Sequence, residues 1–197
     1  MKGTVAQALR DNGGVLSRRD HPRLAETLSY LCRRGELVSV LPGVYIPADV
    51  SGDWRVLARA ACVWNRDAVL ATDVAAALSF WPELRPGVIE VANARARFQR
   101  KPFAISARVI PQPLVYDTGE VRLTRPALTA LELVEAHGSD GIDRALRSRM
   151  TTLSPAALIR SQRTAASSAC RYFRRIGQLS GATRSSLITS ARPNMVT

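Results

Sequence analysis

The stretch from Leu16 to Pro47, LSRRDHPRLAETLSYLCRRGELVSVLPGVYIP, constrains the fold more than any other part of the chain. Within it Leu24, Leu28, Leu31 and Cys32 recur at helical spacing, and about 100° of rotation per residue gathers them on one apolar face. Glu26, Ser29, Tyr30 and Arg33 then point the other way, flanked by Arg23 and Arg34. Gly35 stands where the left-handed residue after a helix belongs, behind two arginines suited to the negative end of the helix dipole. Leu37, Val38, Ser39 and Val40 predict a short strand, Leu41-Pro42-Gly43 a turn, and Val44, Tyr45 and Ile46 a return strand.

Upstream, residues 4–12 predict a short helix with Val5, Ala8 and Leu9 on one side, stopped by Gly13-Gly14. Ser17 is placed to N-cap a turn of helix at Arg18–Asp20. A short helix, a second helix with a polar outer face and a two-stranded ribbon are the ordered parts of a winged helix-turn-helix. In such a unit the outer face of the second helix enters the major groove and the ribbon reaches backbone or minor groove.

The run GGVLSRRD…LSYLCRRGELVSVLPGVYIP resembles the N-terminal winged-helix domain of the AbiEi family of antitoxins, of type IV toxin-antitoxin systems. Gly35, Glu36, Leu37, Gly43, Val44 and Tyr45 carry the likeness, which covers about the first quarter of the chain; LTRPALTALELV and RYFRRIGQLSG match more loosely. The resemblance implies an operator-binding autorepressor whose later part engages a nucleotidyltransferase-like toxin. Similar wings also occur in proteins with other C-terminal domains, so two further readings stand beside it. One is a winged-helix transcription factor without a toxin; the other is a degenerate relative of winged-helix nucleases.

Charge distribution bears on the partner. The net charge is +12, and Lys2 and Lys101 are the only lysines. No acid follows Asp143, so Arg144, Arg147, Arg149, Arg160, Arg163, Arg171, Arg174, Arg175, Arg184 and Arg192 put +10 into residues 144–197. A single-sign field of that size attracts polyanions or an acidic protein surface; a solvated basic face is the plainer account. With 46% hydrophobic and 22% charged residues the chain is globular. No N-terminal apolar signal segment and no run of about 18 apolar residues occurs, which predicts a cytoplasmic protein without a membrane partner. Cys32, Cys62 and Cys170 form no C-x-x-C pair, which argues against zinc or a disulfide framework.

Beyond Pro47, a linker or turn to Gly52 precedes a helix over 53–64 with Leu57, Ala60, Ala61 and Trp64 on one side. Thr72 is placed to cap another helix, in which Val74, Ala77, Leu78 and Trp81 repeat. From Val88 to Leu123 the period changes to two, predicting strands at VIEV, AISARVI and VRL with ARARFQRKP as a loop. Pro126 opens a helix to about His137 with Leu128, Leu131, Val134 and Leu133 on its buried side, and Gly138 follows it. Further helices are expected over 139–149, 154–163 and from 164 or 165 to about 177. The expected fold class is α+β. A winged helix-turn-helix (1–48) is followed by a mixed α/β unit (53–181) with a small, largely antiparallel sheet and a basic helical end. A flexible basic tail (182–197) completes the chain.

Residues for catalysis are scarce. His21 and His137 stand far apart, and no G-x-S-x-G, P-loop or H-E-x-x-H occurs. No D/E-x-K triplet contains Lys101, and no Asp-x-Asp is present to hold Mg²⁺. Asp140 and Asp143 suit a helix start as dipole-compensating acids. The chain is expected to be a non-enzyme without cofactor or metal.

The expected DNA contacts are Ser17, Arg18, Arg19, Arg23, Thr27, Tyr30, Arg33 and Arg34. Arginine on the helix reads guanine through two hydrogen bonds, whereas Arg18 and Arg19 anchor phosphate, which fixes position without reading sequence. Glu26 fits better as an ordinary exposed acid, because carboxylates repel phosphate. Tyr45, in a strand facing a helix, belongs more naturally to the core. Arg95, Arg97, Arg100 and Lys101 are either a second phosphate contact or a solvated turn. Arg171, Arg174 and Arg175 face either an acidic toxin surface or additional DNA.

Overall fold

The computed structural model of the protein describes residues 3–92 and 98–148. The helices expected over 154–177, the tail 182–197, and Arg95, Arg97, Arg171, Arg174, Arg175 and Cys170 lie outside the described residues.

Helix α1 (Gly3–Asp11) buries Val5 and Leu9, one turn apart. It stops where Gly13 and Gly14 take positive φ and the Gly14 N–H donates to the Leu9 carbonyl at 2.7 Å. Strand β1 (Leu16–Ser17) follows. A single 3-10 turn at Pro22–Leu24 feeds α2 (Ala25–Arg33). Gly35, at φ 73°, closes α2, and the Glu36 N–H donates back to the Leu31 carbonyl at 3.0 Å. Strands β2 (Leu37–Leu41) and β3 (Val44–Pro47) pair antiparallel around Pro42-Gly43.

Ser17 corrects the expectation. It caps no helix but pairs with Val44, so that β1 extends the ribbon to three strands in the order β1-β3-β2. Two residues carry no periodicity of their own, and the pairing with β3 is what makes them a strand.

The three-stranded sheet is buried on both faces, and the alternation of β3 shows how. Tyr45 points with Leu16 and Leu37 into a cluster closed by Val5, Leu9, Leu28 and Leu31 of α1 and α2. Val44 and Ile46 point the other way, into the largest core of the molecule. A register shift between Ser39 and Leu41 turns Val40 and Leu41 to that second face as well.

A 3-10 turn at Ala48–Val50 leads to α3 (Trp54–Trp64), whose cap Asp53 accepts the Arg55 N–H at 2.8 Å. Strand β4 (Val69–Leu70) comes next, then α4 (Thr72–Ser79). Thr72 is no cap: it is the first residue of α4 and sits at φ 51°, a left-handed conformation that costs a β-branched residue about 1–2 kcal/mol. Strands β5 (Ile89–Ala92), β6 (Phe98–Arg100), β7 (Phe103–Ser106), β8 (Val115–Asp117) and β9 (Arg122–Thr124) complete a six-stranded sheet in the order β6-β7-β5-β4-β9-β8.

That sheet is mixed rather than largely antiparallel, because β5 pairs β7, and β4 pairs β9, in parallel. The segment expected as an arginine-rich loop contributes β6, held by its pairing to β7. The helix expected from Pro126 to His137 is divided into α5 (Pro126–Glu132) and α6 (Val134–His137). Leu128 and Leu133 carry its buried side, while Val134 is exposed. Helix α7 (Asp140–Arg147) packs back on α5, with Gly141 against Leu133.

One core spans the expected boundary at 48–52. Val15, Val40, Leu41, Val44 and Ile46 share it with Leu57, Ala58, Ala60 and Ala61 of α3, and with Leu70, Ile89, Val91, Phe103, Ile105 and Leu123 of the larger sheet. The alanines let α3 lie close between the two sheets. Burying each such leucine or isoleucine contributes about 1.5–3 kcal/mol. Among the described residues no helix is long and apolar enough to cross a membrane.

Candidate nucleic-acid interface

The outward side of α2 is set by what its inward side buries. With Leu28 and Leu31 sealed against α1 and the three-stranded sheet, Glu26, Tyr30 and Arg33 are exposed and Thr27 and Ser29 are half-buried. Arg23, on the 3-10 turn ahead of the helix, is exposed too. The Ser29 hydroxyl is turned inward, donating to the Ala25 carbonyl at 3.0 Å.

Arg18 connects this face to the hairpin. Its N–H donates to the Gly43 carbonyl at 2.7 Å, so its side chain leaves from beside the Pro42-Gly43 turn. Together with Ala25, Glu26, Ser29 and Arg33 it lines an open cleft of about 290 Å³. Among the described residues no hydrogen bond or ion pair engages the side chains of Arg18, Arg23 or Arg33. These three guanidiniums are available for planar, two-pronged contacts to base edges or phosphates.

The other expected contacts fall out differently. Ser17 is buried at 4% exposure, and its hydroxyl accepts the Arg19 N–H at 3.2 Å, which shapes the turn. Arg19 donates to the Val63 carbonyl at 3.1 Å and sits 3.5 Å from Asp20. Arg34 donates to the Tyr30 hydroxyl at 3.2 Å and pairs with Glu36 at 3.1 Å. Arg100 and Lys101 are exposed at the outer edge of the larger sheet, on elements other than those that build the α2 face. Tyr45 is core.

One cation was missed from the sequence. Arg66, in the loop between α3 and β4, lies 3.4 Å from Asp20. A separation of 46 residues hides that neighbour from any local pattern.

A second polar group lies inside the larger unit. Arg108 and Glu132 form a buried ion pair, and Glu132 also accepts the Thr72 N–H at 3.4 Å. Burial pushes the Glu90 carboxyl up and Asp73 adds to that; Thr72 and Arg108 oppose it. His137 meets Asp73 at 2.9 Å and Trp81 edge-on. His21 lies elsewhere, before the Pro22 turn. Burial likewise raises the Cys32 and Cys62 thiols, so neither is an activated nucleophile. Among the described residues no three His, Cys, Asp or Glu side chains are grouped to hold a metal ion.

The chain matches no protein-family model, and no curated protein matches it.

Proposed function

We propose that the chain is a double-stranded-DNA-binding protein of the winged-helix class, with α2 as the reading helix and the β2–β3 hairpin as the wing. More narrowly, it is an AbiEi-type antitoxin that represses its own operon and neutralises a nucleotidyltransferase-like toxin.

The observation that carries the DNA reading is the cleft in which Arg18, rooted at the hairpin turn, faces Glu26, Ser29 and Arg33 of α2. Nine residues make α2 about 13 Å long, which suits a major groove about 12 Å wide. Arg33 and Arg23 then lie along base edges, and Arg18 meets the phosphates at the groove wall. The toxin half of the proposal draws on the resemblance of the LSRRD…GVYIP stretch.

Two experiments test it. Purified protein should retard a duplex taken from upstream of its own reading frame more strongly than a scrambled duplex, and Arg23→Glu with Arg33→Glu should remove that preference while the fold persists. Equal binding by the double variant refutes the assignment of α2. Co-expression with the neighbouring gene product should give co-purification and growth rescue; absence of both favours a transcription factor without a toxin.

A further inference from the structure

The DNA-facing surface does not end with the helix and hairpin. We propose that Arg66 belongs to it and grips a backbone phosphate beside the groove that α2 enters, an inference that rests on the DNA reading above.

Asp20 faces two guanidiniums at once, Arg19 Nε at 3.5 Å and Arg66 Nη2 at 3.4 Å. One carboxylate offsets one of the two charges and leaves a surplus of one. Arg18, two residues before Asp20 in the same turn, adds a third cation, and with Asp67 beside Arg66 counted against it the group keeps a surplus of one. The turn is also docked: Arg19 donates to the Val63 carbonyl at 3.1 Å, which fixes residues 18–20 against the C-terminal end of α3. Arg66 follows that end directly, and its own carbonyl accepts from Arg122 at 3.5 Å. Arg122 is held in turn by Gln112 at 3.0 Å. The loop carrying Arg66 is therefore positioned relative to the Arg18 end of the α2 cleft.

The Arg66 side chain is 79% exposed. An ion pair that exposed is screened by solvent and weak, so a phosphate oxygen can take the guanidinium from Asp20 at small cost. A cation at the rim, beside an acid, is suited to phosphate rather than to base edges, and phosphate contacts set register without reading sequence. Asp20 spaces the two arginines in the unbound protein. Continuity with Arg18 favours DNA over an acidic protein as the occupant.

The test uses the full chain and a fluorescein-labelled duplex from upstream of its reading frame, with a scrambled duplex alongside. Affinities are measured between about 50 and 200 mM salt. Arg66→Ala should weaken both duplexes by the same factor and reduce the slope of log K against log salt by about one. Arg66→Lys should restore the slope. Because truncation also uncovers Asp20, the comparison is repeated on Asp20→Asn, where Arg66→Ala should still weaken binding. Affinity and slope unchanged by Arg66→Ala, in a protein that binds duplex, overturns this proposal alone. A wild-type chain that binds neither duplex overturns the DNA reading and this inference with it. A loss confined to toxin capture assigns Arg66 to a protein partner instead.

Discussion

Arg34 folds back onto Tyr30: its guanidinium carbon lies 5.8 Å from the ring centroid and its Nη1 donates to the phenol hydroxyl at 3.2 Å. Neighbours one helical turn apart thus occupy one another, with Glu36 pairing the same arginine at 3.1 Å. On the proposed DNA reading, the guanidiniums left open there are those of Arg33 on α2, Arg23 on the turn before it and Arg18 beside the hairpin. Arg33→Ala should therefore cost operator affinity about 10–100-fold, and Arg34→Ala distinctly less. Fluorescence anisotropy on the same duplex decides it, and an equal loss in both variants would sink the assignment.

Gly13 and Arg59 form a second close pair. Gly13 has φ 60°, and a Cβ built there would fall 1.7 Å from Arg59 Nη1, the atom that donates to the Gly13 carbonyl at 3.0 Å. Gly13→Ala should cost about 1–2 kcal/mol from the left-handed backbone, plus the displaced arginine contact. In an Arg59→Ala background the same change should cost less, since the obstacle is gone. A double-mutant cycle by urea unfolding checks this, and strict additivity would refute the coupling.

The Arg108–Glu132 pair is buried, at 11% and 5% side-chain exposure. Arg108→Met alone should lower stability by about 3–5 kcal/mol, because it strands a carboxylate away from water. Arg108→Met with Glu132→Leu should recover much of that loss. Chemical denaturation of the two variants is the check, with a double variant no better than the single one as the contrary result.

Glu90 gives the molecule a pH dependence of known sign. Its carboxyl is raised above its ordinary 4.5, chiefly by burial, so the folded chain keeps the proton longer than the unfolded chain does. Its contribution to stability is complete below 4.5 and is lost as pH rises through the raised folded value. Glu90→Gln should gain on the wild type over that window and match it in acid. Thermal melts of both proteins across the window would show it, and a difference that stays flat with pH would refute the effect.

Helices were legible wherever the sequence repeats itself. The Leu28–Leu31 stripe, the Leu57–Ala60–Ala61 face and the Pro42-Gly43 turn are local signals, and the structure places helix, helix and hairpin accordingly. What escaped was defined by distant partners. Leu16-Ser17 and Val69-Leu70 are too short to show a period, and β6 lies in an arginine-rich run that reads as loop until it pairs with β7. The same reason separates the expected binding residues. Ser17 looked like a polar cap because nothing nearby announced Val44 opposite it, and Arg66 was silent because Asp20 lies so far back along the chain.

Val15, Val44 and Ile46 lock into the same apolar mass as Phe103 and Ile105 of the larger sheet. Among the described residues, the hairpin and the larger sheet can separate only by opening that shared mass to water, and a fragment cut at residue 52 would bare an oily wall.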